Sequence, residues 1–247
     1  MRLLLIDALN LIRRLHAANA EQVVAASVNA WQRLQSALKP THALAVFDGQ
    51  APSWRYQRYP DYKAGRKPMP ADLPPRFSAL AGQWQTAGLR SWFPEAEEAD
   101  DLIASLAVAA RSHNIAVAIA STDKGYAQLL DAGVVQYDPF NRQFLDGQHW
   151  QQKLAIRPSQ LVDFLALTGD STNSIAGVPG VGAKTAAALL QRFGHLQAIL
   201  ATDDVDSSVS KVQQHQQAAR LARQLVKLQT DLPLPFSLSD LRIKEQP

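Results

Sequence analysis

The 247-residue chain contains no cysteine. That excludes disulfides, thiolate nucleophiles and cysteine-based zinc sites, and it fits a reducing compartment. Six histidines are present, but none stands in an HExxH or comparable ligand spacing, so no imidazole metal site is expected. No apolar run approaches the roughly 20 residues of a membrane span. The opening MRLLLIDALNLIRR is apolar only briefly before Asp7, Asn10 and Arg13 interrupt it, too early for a signal peptide. Together these absences predict a globular, cytoplasmic protein with no membrane partner. Charged residues are sparse, 19% against 47% hydrophobic, the balance of a core-forming chain rather than a disordered polyelectrolyte. A net charge of +3 is too small to identify a polyanionic partner. Where the charges sit therefore carries the argument.

Short apolar runs alternate with helical patterns. LLLI (3–6), ALAVF (43–47), AGLRSW (87–92), IAVAIA (115–120) and VVQY (134–137) read as strands. Helices are expected over 9–18, 23–38, 99–112 and 124–131. Strands spaced by helices predict an α/β fold with a doubly wound, mainly parallel sheet. From Pro158 onward only helical patterns and one glycine-rich turn are evident. The expected organisation is an α/β domain over 1–150 and a helical region over 151–247.

Three strand candidates end in an aspartate: LLLI in Asp7, ALAVF in Asp48 and IAVAIAST in Asp123. Ligands of open α/β sheets sit outside the carboxyl ends of the strands, so all three would reach one edge. The stretch EAEEADD adds five carboxylates directly before an apolar helix. One or two acids there complement the helix dipole. Glu98 and Asp101 are three apart on one helical face, with Asp100 beside them, while Glu95 and Glu97 lie upstream in solvent. Clustered carboxylates without histidine or cysteine suit hard cations, Mg²⁺ or Mn²⁺.

SWRYQRYPDYKAGRK (53–67) carries Arg55, Arg58, Lys63, Arg66 and Lys67 among Trp54, Tyr56, Tyr59 and Tyr62. Basic groups following phosphates and rings stacking on bases is how single strands are gripped. GVPGVGAKTAAALLQRF (177–193) fails the P-loop spacing, because Ala183 separates Gly182 from Lys184. It reads instead as a glycine hairpin between helices, its bare N–H groups and helix N-terminus facing phosphates.

With these features in order, the chain resembles the bacterial 5′→3′ exonuclease/flap endonuclease family, whose members include the N-terminal domain of DNA polymerase I. The matching motifs are Asp7 with Arg14 after it, VFDGQAPSWR around Asp48, YKAGR (62–66), EADD (98–101), STDKGYAQLL (121–130), LTGD (167–170), GVPGVGAKTA (177–186) and TDLPL (230–234). The chain ends where a polymerase would begin, so it resembles the short, free-standing type. The resemblance implies a PIN-like α/β domain with a basic arch near 53–75, followed by a helix–three-turn–helix. It implies that Asp7, Asp48, Glu98, Asp100 and Asp101 form a first Mg²⁺ site and that Asp123 and Asp170 belong to a second. Lys63 and Arg66 would neutralise the scissile phosphate, and Arg14 would lie near the flap. Gly180, Val181, Gly182, Ala183, Lys184 and Thr185 would grip duplex backbone. K⁺ would bind main-chain oxygens of Leu167, Thr168, Ala176, Val178 and Val181.

Two departures stand out. Gly125 occupies the place of a second-site aspartate, and Asn173 that of another. The first site is intact and the second keeps two of four carboxylates, so one metal is expected to be tight and the other weak. The implied activity is Mg²⁺-dependent hydrolysis of DNA at 5′ flaps and junctions by a monomer serving replication and repair, leaving 5′-phosphate and 3′-hydroxyl ends. The alternative is a junction-binding protein with little or no nuclease activity.

Overall fold

The computed structural model describes residues 1–243. The chain opens with β1 (Arg2–Asp7), α1 (Ala8–Ala18), α2 (Val23–Leu38), β2 (His42–Val46) and α3 (Trp54–Arg58). Then come α4 (Phe77–Thr86), β3 (Arg90–Trp92), α5 (Ala99–Ser112), β4 (Ala116–Ala120), β5 (Val135–Asp138) and β6 (Gln143–Phe144). The remainder is α6 (Gly147–Leu154), α7 (Leu161–Thr168), β7 (Gly169–Asp170), β8 (Ile175–Ala176), α8 (Ala183–Phe193), α9 (Leu196–Ala201), α10 (Ser207–Gln214) and α11 (Gln216–Val226). No helix among the described residues is long and apolar enough to cross a membrane.

Contacts divide the chain into two compact units that are not continuous in sequence. Of the described residues, the first holds 1–53, 68–145 and 229–243; the second holds 54–67 and 146–228. The sequence reading places its boundary near 150, whereas the basic segment 54–67 clusters with the helical residues and the C-terminal segment with the sheet.

In the first unit six strands run in the order β3-β2-β1-β4-β5-β6. β1, β2, β3, β4 and β5 pair in parallel, and β6 adds an antiparallel edge that the sequence reading did not contain. β1 is central, which is why LLLI is buried on both faces rather than alternating. Leu4, Ile6, Ala43, Ala45 and Phe47 pack with Leu11 and Ile12 of α1, Trp31 and Leu34 of α2, and Leu80 and Trp84 of α4. α5 packs against β1 and β4. From β1 the chain proceeds to β2 and β3 on one side and later to β4 and β5 on the other. The strand order therefore reverses at β1, the switch point where open α/β sheets bind ligands.

Residues 124–131, expected as a helix, form a 3₁₀ helix over Lys124–Ala132. Asp123 caps it by accepting from the Gly125 N–H at 2.7 Å, and Gly133 ends it with φ +78°. A period of three turns Tyr126 and Leu129 inward together.

In the second unit, α7 and α8 flank a two-stranded ribbon of β7 and β8. A purely helical region was expected; strands of two residues are too short to leave a periodic signal. Gly169 (φ +76°) and Gly177 make the return tight. A Cβ on Gly177 would lie 2.5 Å from the Leu167 carbonyl oxygen and closer still to the Gly169 nitrogen.

Candidate functional site

β1 delivers Asp7 directly from its last position, where it caps α1 by accepting from the Asn10 N–H at 3.0 Å. Asp48 follows β2 by two residues, and its carboxylate accepts from the Ala99 N–H at 2.9 Å, at the start of α5. Gly49 permits the approach: a Cβ there would lie 2.7 Å from the Ala96 nitrogen. Glu98 is the residue just before α5, with extended backbone, and Asp100 and Asp101 occupy the first turn. Glu98, Asp100 and Asp101 each present an oxygen within 4.8 Å of the others. Glu98 and Asp101 are buried. Glu95 and Glu97 are exposed, so the acidic run divides into a buried trio and a solvated lead-in.

Asp101 also accepts from the Gln229 N–H at 2.9 Å, while Ser105 Oγ accepts from the Leu232 N–H at 3.1 Å. The stretch TDLPL is thus held along the same helix that carries the acids.

Asp123 ends the β4 loop. Its N–H donates to Ser121 Oγ at 3.1 Å, and Ser121 Oγ donates onward to Asp7 Oδ2 at 3.2 Å. Burial, with the charges of Asp48 and Asp123 adding to it, pushes the Asp7 carboxyl up to about 7. The Tyr126 hydroxyl, 3.3 Å from Asp7 Oδ2, is held well above its ordinary value by burial and by the charges of Asp7, Asp100, Asp123 and Asp48. A carboxyl raised by burial and by neighbouring carboxylates calls for a compensating cation, and an all-oxygen donor set fits Mg²⁺ or Mn²⁺. Six of the seven sequence-predicted acids thus lie in the first unit.

The seventh, Asp170, lies buried in the second unit, where Asn173 Nδ2 donates to its Oδ2 at 2.7 Å. Gly125 offers no side chain, and a Cβ there would lie 3.2 Å from Asp123 Oδ1.

The basic residues divide. Lys63 takes a left-handed backbone (φ 59°), donates its N–H to the Asn173 carbonyl at 2.8 Å and lies with Nζ 5.0 Å from the Tyr62 ring. Arg66 is exposed. Arg14, on α1, sits over the Phe140 ring at 5.2 Å. Arg55 was grouped with the phosphate-tracking cations, but the fold buries it. Its guanidinium donates to the carbonyls of Leu225 and Lys227 at 2.7 and 3.1 Å, satisfying the C-terminus of α11. Tyr62 is buried too, edge-on to Tyr56.

At the glycine turn, Gly180 has φ +74° and Gly182 precedes α8 without a side-chain cap. Lys184 is exposed in the first turn of α8. Lys211 of α10 brings its ammonium 3.7 Å from where a Gly180 Cβ would stand. Of the carbonyls expected to hold K⁺, Leu167 accepts from the Val178 N–H at 2.8 Å and Val178 from the Val181 N–H at 3.1 Å.

Sequence reasoning missed Tyr126, Ser121, Asn10, Gln136 and Lys211. Asn10 Oδ1 accepts from Thr122 N–H and Oγ1, and Gln136 Nε2 donates to the carbonyls of Ser121 and Asp123. Only Tyr126 left a sequence signal, a bulky polar ring beside Gly125; the others are brought in by the fold.

Residues 2–155 match the family described as 5'-3' exonuclease, N-terminal resolvase-like domain, and residues 156–247 match 5'-3' exonuclease, C-terminal SAM fold. The chain is 43% identical to the protein named flap endonuclease Xni of Aeromonas hydrophila subsp. hydrophila, covering 99% of this chain and 97% of that one. It is 44% identical to the flap endonuclease Xni of Colwellia psychrerythraea, covering 98% and 91%. Among solved structures it resembles T5 5'-exonuclease with zinc bound, at TM-score 0.77 and 20% identity over 93% of this chain and 90% of that one. It also resembles the catalytic core of Rad2 in complex with DNA substrate, at TM-score 0.56 and 12% identity over 97% and 82%. At those identities the likeness is one of fold.

Proposed function

The chain belongs to the 5'-3' exonuclease family, and from that premise we propose that it is a structure-specific flap endonuclease that hydrolyses phosphodiesters where single-stranded DNA meets duplex. The observation that carries this reading is the acidic edge. Glu98, Asp100 and Asp101 cluster at the start of α5, and Asp48 accepts from the Ala99 N–H at that same helix start. Asp7 and Asp123 follow neighbouring strands, and the charges of Asp48 and Asp123 act on Asp7. Asp7, Asp48, Glu98, Asp100 and Asp101 would hold Mg²⁺, or Mn²⁺ in its place. The cation, when bound, supplies Lewis-acid stabilisation of phosphoryl charge and lowers the pKa of water.

The protein's own groups do the rest. Asp7, raised to about 7 by burial and by its like-charged neighbours, would be drawn to its ionised form by a cation. Lys63 and Arg66 supply positive charge to the scissile phosphate, and Arg14 does so near the flap. In the turn of Gly180, Val181, Gly182, Ala183, Lys184 and Thr185, the start of α8, which has no side-chain cap, and the Lys184 charge are offered to duplex phosphates. K⁺ at the carbonyls of Leu167, Thr168, Ala176, Val178 and Val181 would hold that turn in shape. Of the second metal's carboxylates, Asp123 has glycine rather than aspartate two residues on. Asp170 already has a neutral amide donor in Asn173. That supports a tight first cation and a weak second one; calorimetric titration showing two equally tight Mg²⁺ sites would contradict it.

The reading is tested by Asp100→Ala on a labelled 5′-flap duplex. Cleavage is expected to vanish while DNA affinity stays within about twofold, since the carboxylate would hold the cation rather than meet the phosphate backbone. Undiminished cleavage by the variant would sink the assignment. Asp101→Ala is a less clean control, because it also strands the Gln229 N–H. The depleted second set favours one further reading, a junction-binding protein with little nuclease activity. Cleavage by the wild type decides between the two.

A further inference from the structure

Resting on the reading above, we propose that Tyr126 and Ser121 are positioning residues whose hydroxyls together occupy one oxygen of Asp7, so that Asp7 can offer a divalent cation a single lone pair on its other oxygen. A carboxylate has about four lone-pair positions. Asp7 Oδ1 accepts from the Asn10 N–H at 3.0 Å; Oδ2 accepts from Ser121 Oγ at 3.2 Å and from the Tyr126 hydroxyl at 3.3 Å. Three positions are used and one remains, on Oδ1. Asp7 is thereby a one-point ligand with a fixed orientation.

The two hydroxyls are themselves fixed. Tyr126 is 1% exposed and Ser121 is fully buried, so neither can turn to water. Ser121 Oγ already accepts from the Asp123 N–H at 3.1 Å, which directs its own hydrogen to Asp7. The loop that carries Ser121 is held from two sides. Asn10 Oδ1 takes the Thr122 N–H at 3.1 Å, and buried Gln136 donates to the carbonyls of Ser121 and Asp123 at 3.0 and 2.7 Å. The network therefore runs from β5 through the β4 loop to the end of β1, and it ends on the carboxylate that would meet a cation.

Tyr126 directly follows Gly125, the position that lacks a carboxylate. Outer partners that orient a ligand typically contribute ten- to hundredfold in metal affinity or activity.

The test uses the full chain with Tyr126→Phe, which removes only the hydroxyl, and Ser121→Ala, which removes the other donor to the same oxygen. Three readouts are taken: thermal unfolding without divalent ions, Ca²⁺ binding by calorimetry without DNA, and the Mg²⁺ midpoint of flap cleavage. Tyr126→Phe is expected to unfold close to the wild-type temperature, to bind Ca²⁺ about tenfold more weakly and to need about tenfold more Mg²⁺. Ser121→Ala is expected to shift the last two in the same direction. If the wild type binds and cuts while both variants match it in Ca²⁺ affinity and Mg²⁺ midpoint, this proposal falls alone. Variants that lose stability yet keep wild-type Ca²⁺ affinity overturn it as well, reducing the hydroxyls to a structural role. A wild type that binds no divalent cation overturns the underlying reading and this proposal with it.

Discussion

Asp7 is the residue on which burial and charge act most visibly, and pH reads their combined effect. Its carboxyl rises from 3.8 to about 7 chiefly through desolvation. The folded protein therefore holds a proton between those values that the unfolded chain has lost. Stability from this group is complete below about pH 4 and is lost as pH rises toward 7, in the absence of divalent cation. Asp7→Asn, permanently neutral, is expected to match the wild type near pH 4 and to exceed it above pH 7 by on the order of 4 kcal/mol. Thermal unfolding with and without Mg²⁺ measures this, and saturating Mg²⁺ should remove the advantage. A constant difference across the pH range would contradict the burial account. Asp7, Asp48 and Asp123 were legible in the sequence because strand ends are legible and sheet edges collect ligands. Tyr126 showed only as a bulky ring beside Gly125; its role was hidden because its partner lies 119 residues away and only the closed sheet brings them together. Arg55 was misread for a related reason: its partners, the carbonyls that end α11, are 170 and 172 residues distant.

Among the elements, the ribbon and turn between α7 and α8 make the sharpest demand on sequence. Gly177 leaves no room for a side chain, whereas Gly182 has nothing within 4 Å of its Cβ position. Gly177→Ala is expected to destabilise by about 3 kcal/mol or more, and Gly182→Ala by less than about 1 kcal/mol. Denaturant unfolding distinguishes them; equal costs would mean that the close approach at Gly177 is absent in solution. In the proposed function the duplex contact falls to the helix that follows. Lys184→Ala is expected to weaken duplex binding uniformly and to lower the salt slope by about one phosphate contact. An unaltered slope would remove Lys184 from the interface. Helices α1, α2 and α5 were readable from their helical period, and the five parallel strands from their short apolar runs. β6, β7 and β8, two residues each, are not. α4 carries Leu80 and Trp84 at helical spacing but is broken to the eye by Gly82.

At the scale of the whole molecule, sequence order and spatial grouping part company. The basic segment 54–67 clusters with the helical unit through Arg55 and through Ser174, whose Oγ accepts from the Gly65 N–H at 2.9 Å. The C-terminal segment clusters with the sheet unit through Asp101 and Ser105. A boundary drawn from composition sees neither, because single side-chain contacts at long separation leave no compositional trace. What the sequence does carry across both units is the order of motifs, and that order brought family membership into view before any contact was known. The most direct test of the account is cleavage of a labelled 5′-flap duplex by the wild-type protein across a Mg²⁺ series. The account predicts metal-dependent cutting at the single-strand/duplex junction, leaving 5′-phosphate ends. Tight DNA binding with no cutting at any Mg²⁺ or Mn²⁺ concentration would contradict it, and would mean that Gly125 and Asn173 have left a junction-binding protein on a nuclease fold.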